Sequence, residues 1–275
     1  MNVLFVCTGN TCRSPMAEGY LNSKKTHAAK SAGIYAFGEA VFQNSAEVMG
    51  EIGIDISSHV SQCLTPELIY WADRIYCMSD SHLLALKSLG VTDDKLFLLG
   101  NGISDPYGQD LTVYRRCRDQ IIGEIDKLFP DVSVRRANMT TDSEDIAALE
   151  KICFSTPWSA NALTESETNG TTFFVAEANG KFAGYIGIDT VLDEGYVTNI
   201  AVLPEFRKLG VGAALLSHTL LFAKEKGLAF ISLEVRRSNI GAQKLYQKFG
   251  FNIEGERKNF YQNPKEDALI FTKRF

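Results

Sequence analysis

The sequence has few of the features that mark secreted, membrane or metal-binding chains. It opens without a basic leader, and its first apolar run, of about five residues, is shorter than a secretory signal core. The most apolar later stretch, AALLSHTLLFA, contains Ser217 and His218 and is far shorter than the ~20 residues of a membrane span. We therefore expect neither a signal segment nor a membrane partner.

Cysteine and histidine motifs are also missing. The 6 cysteines form no Cys-x-x-Cys pair, and the 4 histidines form no His-Glu-x-x-His motif or His/Cys cluster. Scattered cysteines favour reduced thiols in a cytoplasmic protein. The pattern gives no support for a metal site, so we expect no metal cofactor and take each histidine as a structural or surface residue.

Strong positive charge is absent as well. The chain has 28 Lys and Arg against 33 Asp and Glu, a net charge of -5, and neither half is strongly basic. We therefore expect no direct nucleic-acid partner. Hydrophobic residues at 45% and charged residues at 22% are typical of globular proteins.

The length and the order of patterns predict two domains. A chain of 275 residues exceeds the usual size of one hydrophobic core. In the first part, the strand-like runs NVLFVC, RIYCM and KLFLLG alternate with helical segments, which favours an α/β domain with a parallel sheet. After FPDVS, two β-rich runs meet at Asn179-Gly180, a dipeptide suited to a hairpin turn, so an α+β domain with a mixed sheet is expected. We place the domains at residues 1–131 and 132–275.

Helix signals are clear in the first domain. Ser14 is expected to cap a helix whose first residue is Pro15, and Ser79 or Asp80 is expected to start the next one. Apolar residues four apart predict a longer helix that stops before Pro130.

The first strand-to-helix turn, VCTGNTCRSPMAE, contains a candidate nucleophile. Backbone amides and the positive end of the helix dipole favour an anion at such a turn, and the same field favours a thiolate at Cys7. Arg13 offers a planar fork to phosphate oxygens, while Gly9 and Asn10 tolerate unusual backbone angles. Asp105, held extended by the following proline, is a candidate proton donor, although Asp-Pro is also common in surface turns.

These residues resemble the low-molecular-weight protein phosphatases, which share the Cys-x5-Arg-Ser motif and a later Asp-Pro. The resemblance, over about residues 1–129, implies that Cys7 attacks phosphorus and that Asp105 acts as general acid and then base. It implies that Arg13 and loop amides stabilise the phosphoryl oxygens and that Ser14 assists the departing thiolate. The implied substrate-binding loop residues are Thr8, Gly9, Asn10, Thr11 and Cys12.

The phosphatase substrate is left open between phosphoarginine and phosphotyrosine in proteins. Thr11 and the segment DPYG resemble the protein-arginine phosphatase branch, whereas tyrosine-directed members usually have an aliphatic residue at the position of Thr11. Tyr35 and Tyr107 are either walls of the phosphatase substrate site or ordinary packing residues. The related arsenate reductases are disfavoured because Cys77 has no second cysteine about seven residues away and Pro15 replaces their usual glutamine.

A second strand-to-helix turn, VLPEFRKLGVGAALL, has no cysteine but has glycines that allow close approach of the backbone to a pyrophosphate. With the segments that follow, it resembles the GNAT acetyltransferases, whose loop holds acetyl-CoA. Asn239 is expected to cap a later helix and to touch the coenzyme. The other implied acetyl-CoA-binding residues are Ile200, Ala201, Val202, Arg207, Lys208, Leu209, Gly210, Val211 and Gly212.

Residues 133–273 resemble ribosomal-protein-alanine N-acetyltransferases through the segments VLDEGYVTNIAV, LEVRRSN, LYQKFGF and EDALIFTK. The resemblance implies that Glu234 accepts the proton of an α-amine, and that Tyr246 protonates the coenzyme A thiolate. Trp158 and Tyr261 are implied at the peptide groove. An α-amine of pKa ~7.7 to 8.0 needs a weaker base than lysine at ~10.4, which fits an N-terminal substrate on a ribosomal protein.

Two alternatives remain at this point. The acetyltransferase domain could act on another amine, such as lysine or a small polyamine. The phosphatase-like domain could serve as a phosphate-binding or regulatory module. The intact sets of catalytic residues favour a bifunctional enzyme over both.

Overall fold

The computed structural model describes residues 1–25 and 27–275. They form two compact units, residues 1–130 and 131–275. Each unit is described by itself.

The first unit is an α/β unit built on a parallel four-stranded sheet in the order β2-β1-β3-β4. Its strands are β1 Asn2–Cys7, β2 Ala28–Gly33, β3 Arg74–Cys77 and β4 Leu96–Leu98. Its helices are α1 Arg13–Ser23, α2 Gln43–Gly50, α3 Pro66–Trp71, α4 Asp80–Ser88 and α5 Leu111–Leu128.

Helices cover both faces of this sheet because the central strand is apolar on both sides. Val3, Phe5 and Cys7 belong to the core that includes buried residues of α1 and α5. Leu4 and Val6 belong to a separate core with residues of α3 and α4. A strand buried on both faces reads as a continuous apolar run, as NVLFVC does.

The start of α1 differs from the prediction. The helix begins at Arg13, and Cys12 occupies the N-cap position without a side-chain capping bond. Ser14 is therefore not the cap; it lies in the first turn and its hydroxyl bonds inside the loop. The apolar stripe predicted α5 correctly, and Asp110 caps that helix by accepting a hydrogen bond from the Val113 amide at 3.1 Å.

The second unit is an α+β unit on a seven-stranded mixed sheet in the order β10-β11-β9-β8-β7-β6-β5. Its strands are β5 Val132–Arg136, β6 Thr172–Ala178, β7 Lys181–Val191, β8 Glu194–Val202, β9 Phe230–Arg236, β10 Asn252–Gln262 and β11 Lys265–Arg274. Its helices are α6 Met139–Cys153, α7 Ala160–Thr168, α8 Val211–Glu225 and α9 Ile240–Lys248.

The hairpin between β6 and β7 forms as predicted. Asn179 and Gly180 both have positive φ, at 50° and 74°. Two-residue hairpin turns of this kind need positive φ at both central residues, which explains the Asn-Gly pair.

Two irregularities open the middle of this sheet. Thr198 is an extra residue in β8, since Gly187 pairs with Asn199 while Ile188 pairs with Val197. The parallel pairing of β8 with β9 covers only Glu194 to Tyr196 on β8. Beyond that point the two strands diverge, and the backbone of β8 that faces β9 is left without a ladder partner within the described residues.

The two faces of the sheet carry different helices. Leu233 and Val235 of β9 belong to a core with α8 and α9. Tyr185 of β7 and Ala201 of β8 belong to another core with α6 and α7. Since side chains alternate along a strand, Glu234 lies on the face of α6 and α7.

Membrane-spanning helices and metal-binding clusters are both absent from the described residues. No helix in that part of the chain has the length and apolar character to cross a membrane. No group of three or more His, Cys, Asp or Glu side chains there is arranged to hold a metal ion.

Candidate active sites

The loop between β1 and α1 surrounds the thiol of Cys7. The Asn10 amide donates to Cys7 Sγ at 3.2 Å, and Ser14 Oγ lies 2.9 Å from the same sulfur. Among the described residues, the backbone amides of residues 9, 11, 12 and 13 have no hydrogen-bond partner. Free amides at a helix N-terminus form an anion site, so the thiol lies at the base of a phosphate cradle.

A cavity of about 260 Å³ lies above this thiol. The residues that line it are Cys7, Thr8, Gly9, Thr11, Cys12, Arg13, Asp105 and Tyr107. It therefore brings together most of the loop residues singled out in the sequence with the aspartate almost a hundred residues later.

Arg13 is held at the cavity with part of its guanidinium unused. The side chain is buried, and its two terminal nitrogens donate to the Ile103 carbonyl at 3.2 Å and to Asp105 Oδ2 at 2.5 Å. Its buried Nε has no hydrogen-bond partner in the described structure. Buried donors are almost always paired, so an unpaired one beside a cavity indicates a place for an anionic ligand.

Asn10 shapes the loop from below. It is fully buried, with φ of 55°, and its side-chain amide donates to Ser14 Oγ at 2.9 Å and to Ser31 Oγ at 2.7 Å. Its side-chain oxygen accepts from the Gln62 amide at 2.9 Å. Of the two loop residues expected to tolerate unusual backbone angles, Asn10 has a positive φ and Gly9 does not.

Two further side chains, not singled out in the sequence, support Asn10. Ser31 Oγ donates to Glu18 Oε2 at 2.6 Å, and His59 Nε2 lies 3.1 Å from the Asn10 carbonyl oxygen. Only the fold brings these residues to the loop, so no local pattern could have identified them.

His82 supports the other side of the loop. Its Nε2 lies 2.9 Å from Thr8 Oγ1, and its Nδ1 lies 2.8 Å from Ser79 Oγ. Burial lowers the pKa of His82 to about 4, and the nearby Arg13 charge adds to the effect. The imidazole is therefore neutral near pH 7 and links the loop to the start of α4.

The two candidate wall tyrosines differ. Tyr107 lines the cavity and its ring lies 5.6 Å from that of Phe42. Tyr35 is 68% exposed and is not among the lining residues, although its amide donates to the Thr8 carbonyl at 2.9 Å. The structure therefore brings one of the pair to the cavity.

Two other cysteines of the unit are unsuited to nucleophilic chemistry. Burial raises the pKa of Cys77 and of Cys117 to about 12. Cys12, at the start of α1, has its sulfur 3.4 Å from the Tyr114 hydroxyl.

The second candidate site begins at the turn before α8. Lys208 and Gly210 have φ of 61° and 92°. Within the described structure, the backbone amides of residues 208–213 have no hydrogen-bond partner. A Cβ on Gly212 would lie 3.4 Å from Leu245, so glycine permits this close packing. Arg207 Nε donates to the Val202 carbonyl at 3.1 Å, which joins the turn to the end of β8.

This turn and the open edge of β8 fit acetyl-CoA. A pyrophosphate is suited to the unpaired amides at the N-terminus of α8. Ile200, Ala201 and Val202 lie beyond the last residue of β8 that pairs with β9, so their backbone is open to an extended pantetheine arm on that side. Residues 200–202 and 207–212, implied by sequence, are thus brought to one end of the sheet.

Glu234 lies on the same open face with Tyr261 beside it. The Glu234 side chain is 27% exposed, and the Arg257 guanidinium lies 3.3 Å from its carboxylate. The Tyr261 hydroxyl donates to the Glu234 backbone carbonyl at 3.4 Å, and the Arg236 guanidinium lies 4.1 Å from the Tyr261 ring centre.

Tyr246 is a core residue in the structure. It is 4% exposed, and its ring lies 6.0 Å from that of Phe251 and 5.8 Å from that of Phe271. Burial raises its pKa above the ordinary value. Asn239 caps α9 as expected, because its side chain accepts from the Ala242 amide at 3.2 Å.

A buried carboxyl that the sequence did not reveal joins Trp158 to the bulge. Glu150 is fully buried and accepts from the Trp158 amide and from Asn199 Nδ2, both at 2.9 Å, and from the Tyr185 hydroxyl. Because Asn199 follows the extra residue of β8, this carboxyl fixes the loop before α7 to the open part of the sheet.

Comparisons with known proteins match each unit separately. A family model for low molecular weight phosphotyrosine protein phosphatases matches residues 2–139, and a model for the acetyltransferase (GNAT) family matches residues 143–251. A putative ribosomal protein bS18-alanine N-acetyltransferase of Bacillus subtilis strain 168 is 40% identical over 131 residues, which are 47% of this chain and 87% of the relative.

Two further relatives agree with this division. The ribosomal protein bS18-alanine N-acetyltransferase of Escherichia coli K12 is 36% identical over 133 residues, 48% of this chain and 90% of the relative. A protein-arginine-phosphatase of Geobacillus stearothermophilus is 37% identical over 137 residues, 46% of this chain and 92% of the relative.

Gly33 provides a test of the loop geometry. A Cβ at this position would lie 2.7 Å from the Thr8 carbonyl oxygen and 3.0 Å from the Asn10 amide. Gly33→Ala should displace the loop, lower turnover of a phosphate ester by about 10²-fold and cost about 1 to 3 kcal/mol of folding free energy. Gly50→Ala, where a Cβ meets nothing within 4 Å, is the matched control. Equal turnover in both variants would contradict this account.

His82 predicts a pH dependence of stability. Its folded pKa of about 4 lies below the ordinary 6.5, so the unfolded chain binds the proton first. The contribution of the neutral imidazole is complete above pH 6.5 and is lost as the pH falls towards 4. As the pH is lowered over this range, the free energy of unfolding of His82→Gln should fall by about 3 kcal/mol less than that of the parent. Urea unfolding across this pH range measures the difference, and a fall in His82→Gln equal to that of the parent would contradict the expectation.

Proposed function

This chain belongs to the low molecular weight phosphotyrosine protein phosphatase family in its first half and to the GNAT acetyltransferase family in its second, and we propose the substrates and catalytic residues of both activities. The phosphatase domain is assigned to residues 1–131 and the acetyltransferase domain to 132–275. Ribosomal and phosphorylated proteins as substrates fit a cytoplasmic enzyme.

For the phosphatase, the observation that carries the proposal is the Cys7 sulfur beneath unpaired amides and an unpaired Arg13 Nε. Cys7 Sγ attacks phosphorus and the leaving group departs with a proton from Asp105. The phosphocysteine is then hydrolysed by water, whose proton Asp105 accepts. Arg13 Nε and the loop amides hold the phosphoryl oxygens in both steps.

The remaining loop residues have supporting roles. Ser14 Oγ, 2.9 Å from the sulfur, stabilises the thiolate that leaves in the second step. Asp105 is paired with Arg13 at 2.5 Å in the free protein and is half exposed. A bound phosphoryl group competes for that guanidinium and so frees the carboxyl to face the leaving atom.

We infer a preference for phosphoarginine over phosphotyrosine in proteins. Thr11 lines the cavity with a hydroxyl that can bond a guanidinium N–H, and Tyr107 forms a wall for the side-chain stem. The arginine phosphatase relative supports the same choice. Thr8, Gly9, Asn10 and Cys12 contribute backbone and shape to the substrate site, while Tyr35 contacts the loop from outside it.

For the acetyltransferase, the observation that carries the proposal is Glu234 on the open face beside the divergence of β8 and β9. Acetyl-CoA supplies the thioester carbonyl carbon that an amine attacks. Glu234 accepts the proton of that amine through a water molecule as the C–N bond forms. The C–S bond of the thioester then breaks, and the Tyr246 hydroxyl donates a proton to the departing thiolate. The amides of 208–213 and Asn239 bind the coenzyme.

The proposed acceptor is the N-terminal alanine of a ribosomal protein, as the names of the relatives indicate for them. Trp158 and Tyr261 flank the acceptor. Glu150 fixes the Trp158 amide at 2.9 Å, and Tyr261 lies against the backbone of Glu234.

The phosphatase assignment is tested with phosphoarginine and phosphotyrosine peptides of one sequence. Cys7→Ser should lower turnover of both by at least about 10³-fold because the nucleophile is lost. Thr11→Ile should lower kcat/KM for phosphoarginine relative to phosphotyrosine by roughly tenfold, since a hydroxyl partner of the guanidinium is replaced by an apolar group. Acetylation by the same variants is the control and should not change. An unaltered substrate ratio in Thr11→Ile would remove the support for an arginine preference.

The acetyltransferase assignment is tested with peptides that begin with alanine. Glu234→Gln should lower kcat by about 10²- to 10⁴-fold, with a smaller loss in Tyr246→Phe, because each removes a proton-transfer group. Glu225→Gln, an exposed change on α8, is the matched control. If free polyamines are acetylated as fast as these peptides, the substrate is another amine instead.

A further inference from the structure

One cavity of the second unit is lined by neither Glu234 nor the residues of the coenzyme turn. It has a volume of about 680 Å³ and lies between α7, the loop before it and the end of β7. Among its lining residues are Trp158, Glu165, Ser166, Thr171 and Asp189. No Lys, Arg or His lines it, so its charged groups are two carboxylates.

Three polar side chains that line the cavity are joined by hydrogen bonds. Thr171 is 5% exposed, and its Oγ1 bonds both Ser166 Oγ at 2.6 Å and Asp189 Oδ1 at 2.5 Å. These bonds orient the Asp189 carboxylate and leave Oδ2 without a partner among the described residues. Neither Asp189 nor Glu165 has an ion pair in that part of the chain, which leaves both carboxylates available to a ligand.

Sheet register places this cavity on the acceptor face. Asp189 pairs with Tyr196, and Tyr196 pairs with Ser232. Residues paired across a sheet point to the same side, and so do residues two apart on one strand. Asp189 and Glu234 therefore share one face, with the 41% exposed Tyr196 between them.

The same register gives the separation. Asp189 is two strands from Ser232, at ~4.8 Å each, and Glu234 is two residues further, at ~3.3 Å each, so their Cα atoms lie about 12 Å apart or slightly more. An extended polypeptide whose amine lies at Glu234 covers this distance with about four residues. The direction leads away from the coenzyme turn, because Glu234 lies nearer to that turn than Ser232 does.

We propose that this cavity is a subsite for a cationic side chain of the acceptor polypeptide, about the fourth or fifth residue after the acetylated amine. The proposal rests on the proposed acetyltransferase function. Trp158 lines the cavity, and its backbone amide is held by Glu150. The two carboxylates, of Glu165 and Asp189, complement a lysine ammonium or an arginine guanidinium. An acidic side chain at the same position of the acceptor would be repelled.

The experiment compares two longer peptides that start with alanine and differ only in lysine or glutamine at the fourth and fifth positions. A tripeptide with the same N-terminus cannot reach the cavity and serves as the reference substrate. The parent enzyme should show a KM about tenfold lower for the lysine peptide, with equal kcat. The double variant Glu165→Gln and Asp189→Asn should lose this difference and acetylate the tripeptide as the parent does.

Two controls keep the result interpretable. If the double variant is unstable, Glu165→Gln alone replaces it. This substitution lies at an exposed helix position, leaves the Thr171 bond intact and should lose part of the preference for the lysine peptide. Glu225→Gln should retain all of it. An unchanged preference in both cavity variants, or no lysine preference in the parent, would overturn the subsite while the tripeptide still reports acetylation. No acetylation of any alanine peptide by the parent would overturn the proposed function itself.

Discussion

Both proposed activities depend on backbone amides left unpaired where a strand passes into a helix. In the first unit the Asn10 amide bonds the Cys7 sulfur, and the amides of residues 9, 11, 12 and 13 in the same loop have no backbone partner. In the second unit the turn before α8 leaves the amides of 208–213 without a backbone partner. The first backbone N–H groups of a helix have no acceptor within the helix, so unpaired amides are present in any fold where a strand leads directly into a helix. What differs is the added group. A sulfur beneath the amides gives covalent phosphoryl chemistry, whereas a corner without one can only bind.

The corners need support from side chains far away in the sequence. Asn10 holds its positive φ because its side-chain nitrogen donates to Ser14 and Ser31 and its side-chain oxygen accepts from the Gln62 backbone amide. His82 bonds Thr8 on the other side of the loop. In the second unit a single carboxyl, Glu150, plays the comparable part by joining the Trp158 loop to the bulge of β8. Satisfied buried networks of this kind define one geometry, since any alternative leaves a polar group unpaired.

The sequence revealed the parts of the sites that are local and little of what surrounds them. Cys7 to Ser14 and Arg207 to Gly212 are contiguous, so their chemistry was readable, as were α5 and the Asn179-Gly180 hairpin. Strand β2, AAKSAG, has few of the β-branched or aromatic residues that mark a strand and forms because small residues fit beside β1. His82, Glu150 and the Asp189 cavity depend on tertiary contacts, and Tyr35 faces solvent although its amide bonds the loop.

Each activity has its own core. Every buried member of the two cores around the parallel sheet precedes residue 130, and every buried member of the two around the mixed sheet follows residue 136. The buried cluster that contains Cys7 therefore consists of residues of the first unit. Because energetic coupling between sites is carried by packed or bonded groups, a substitution in one core acts first on the chemistry of its own unit.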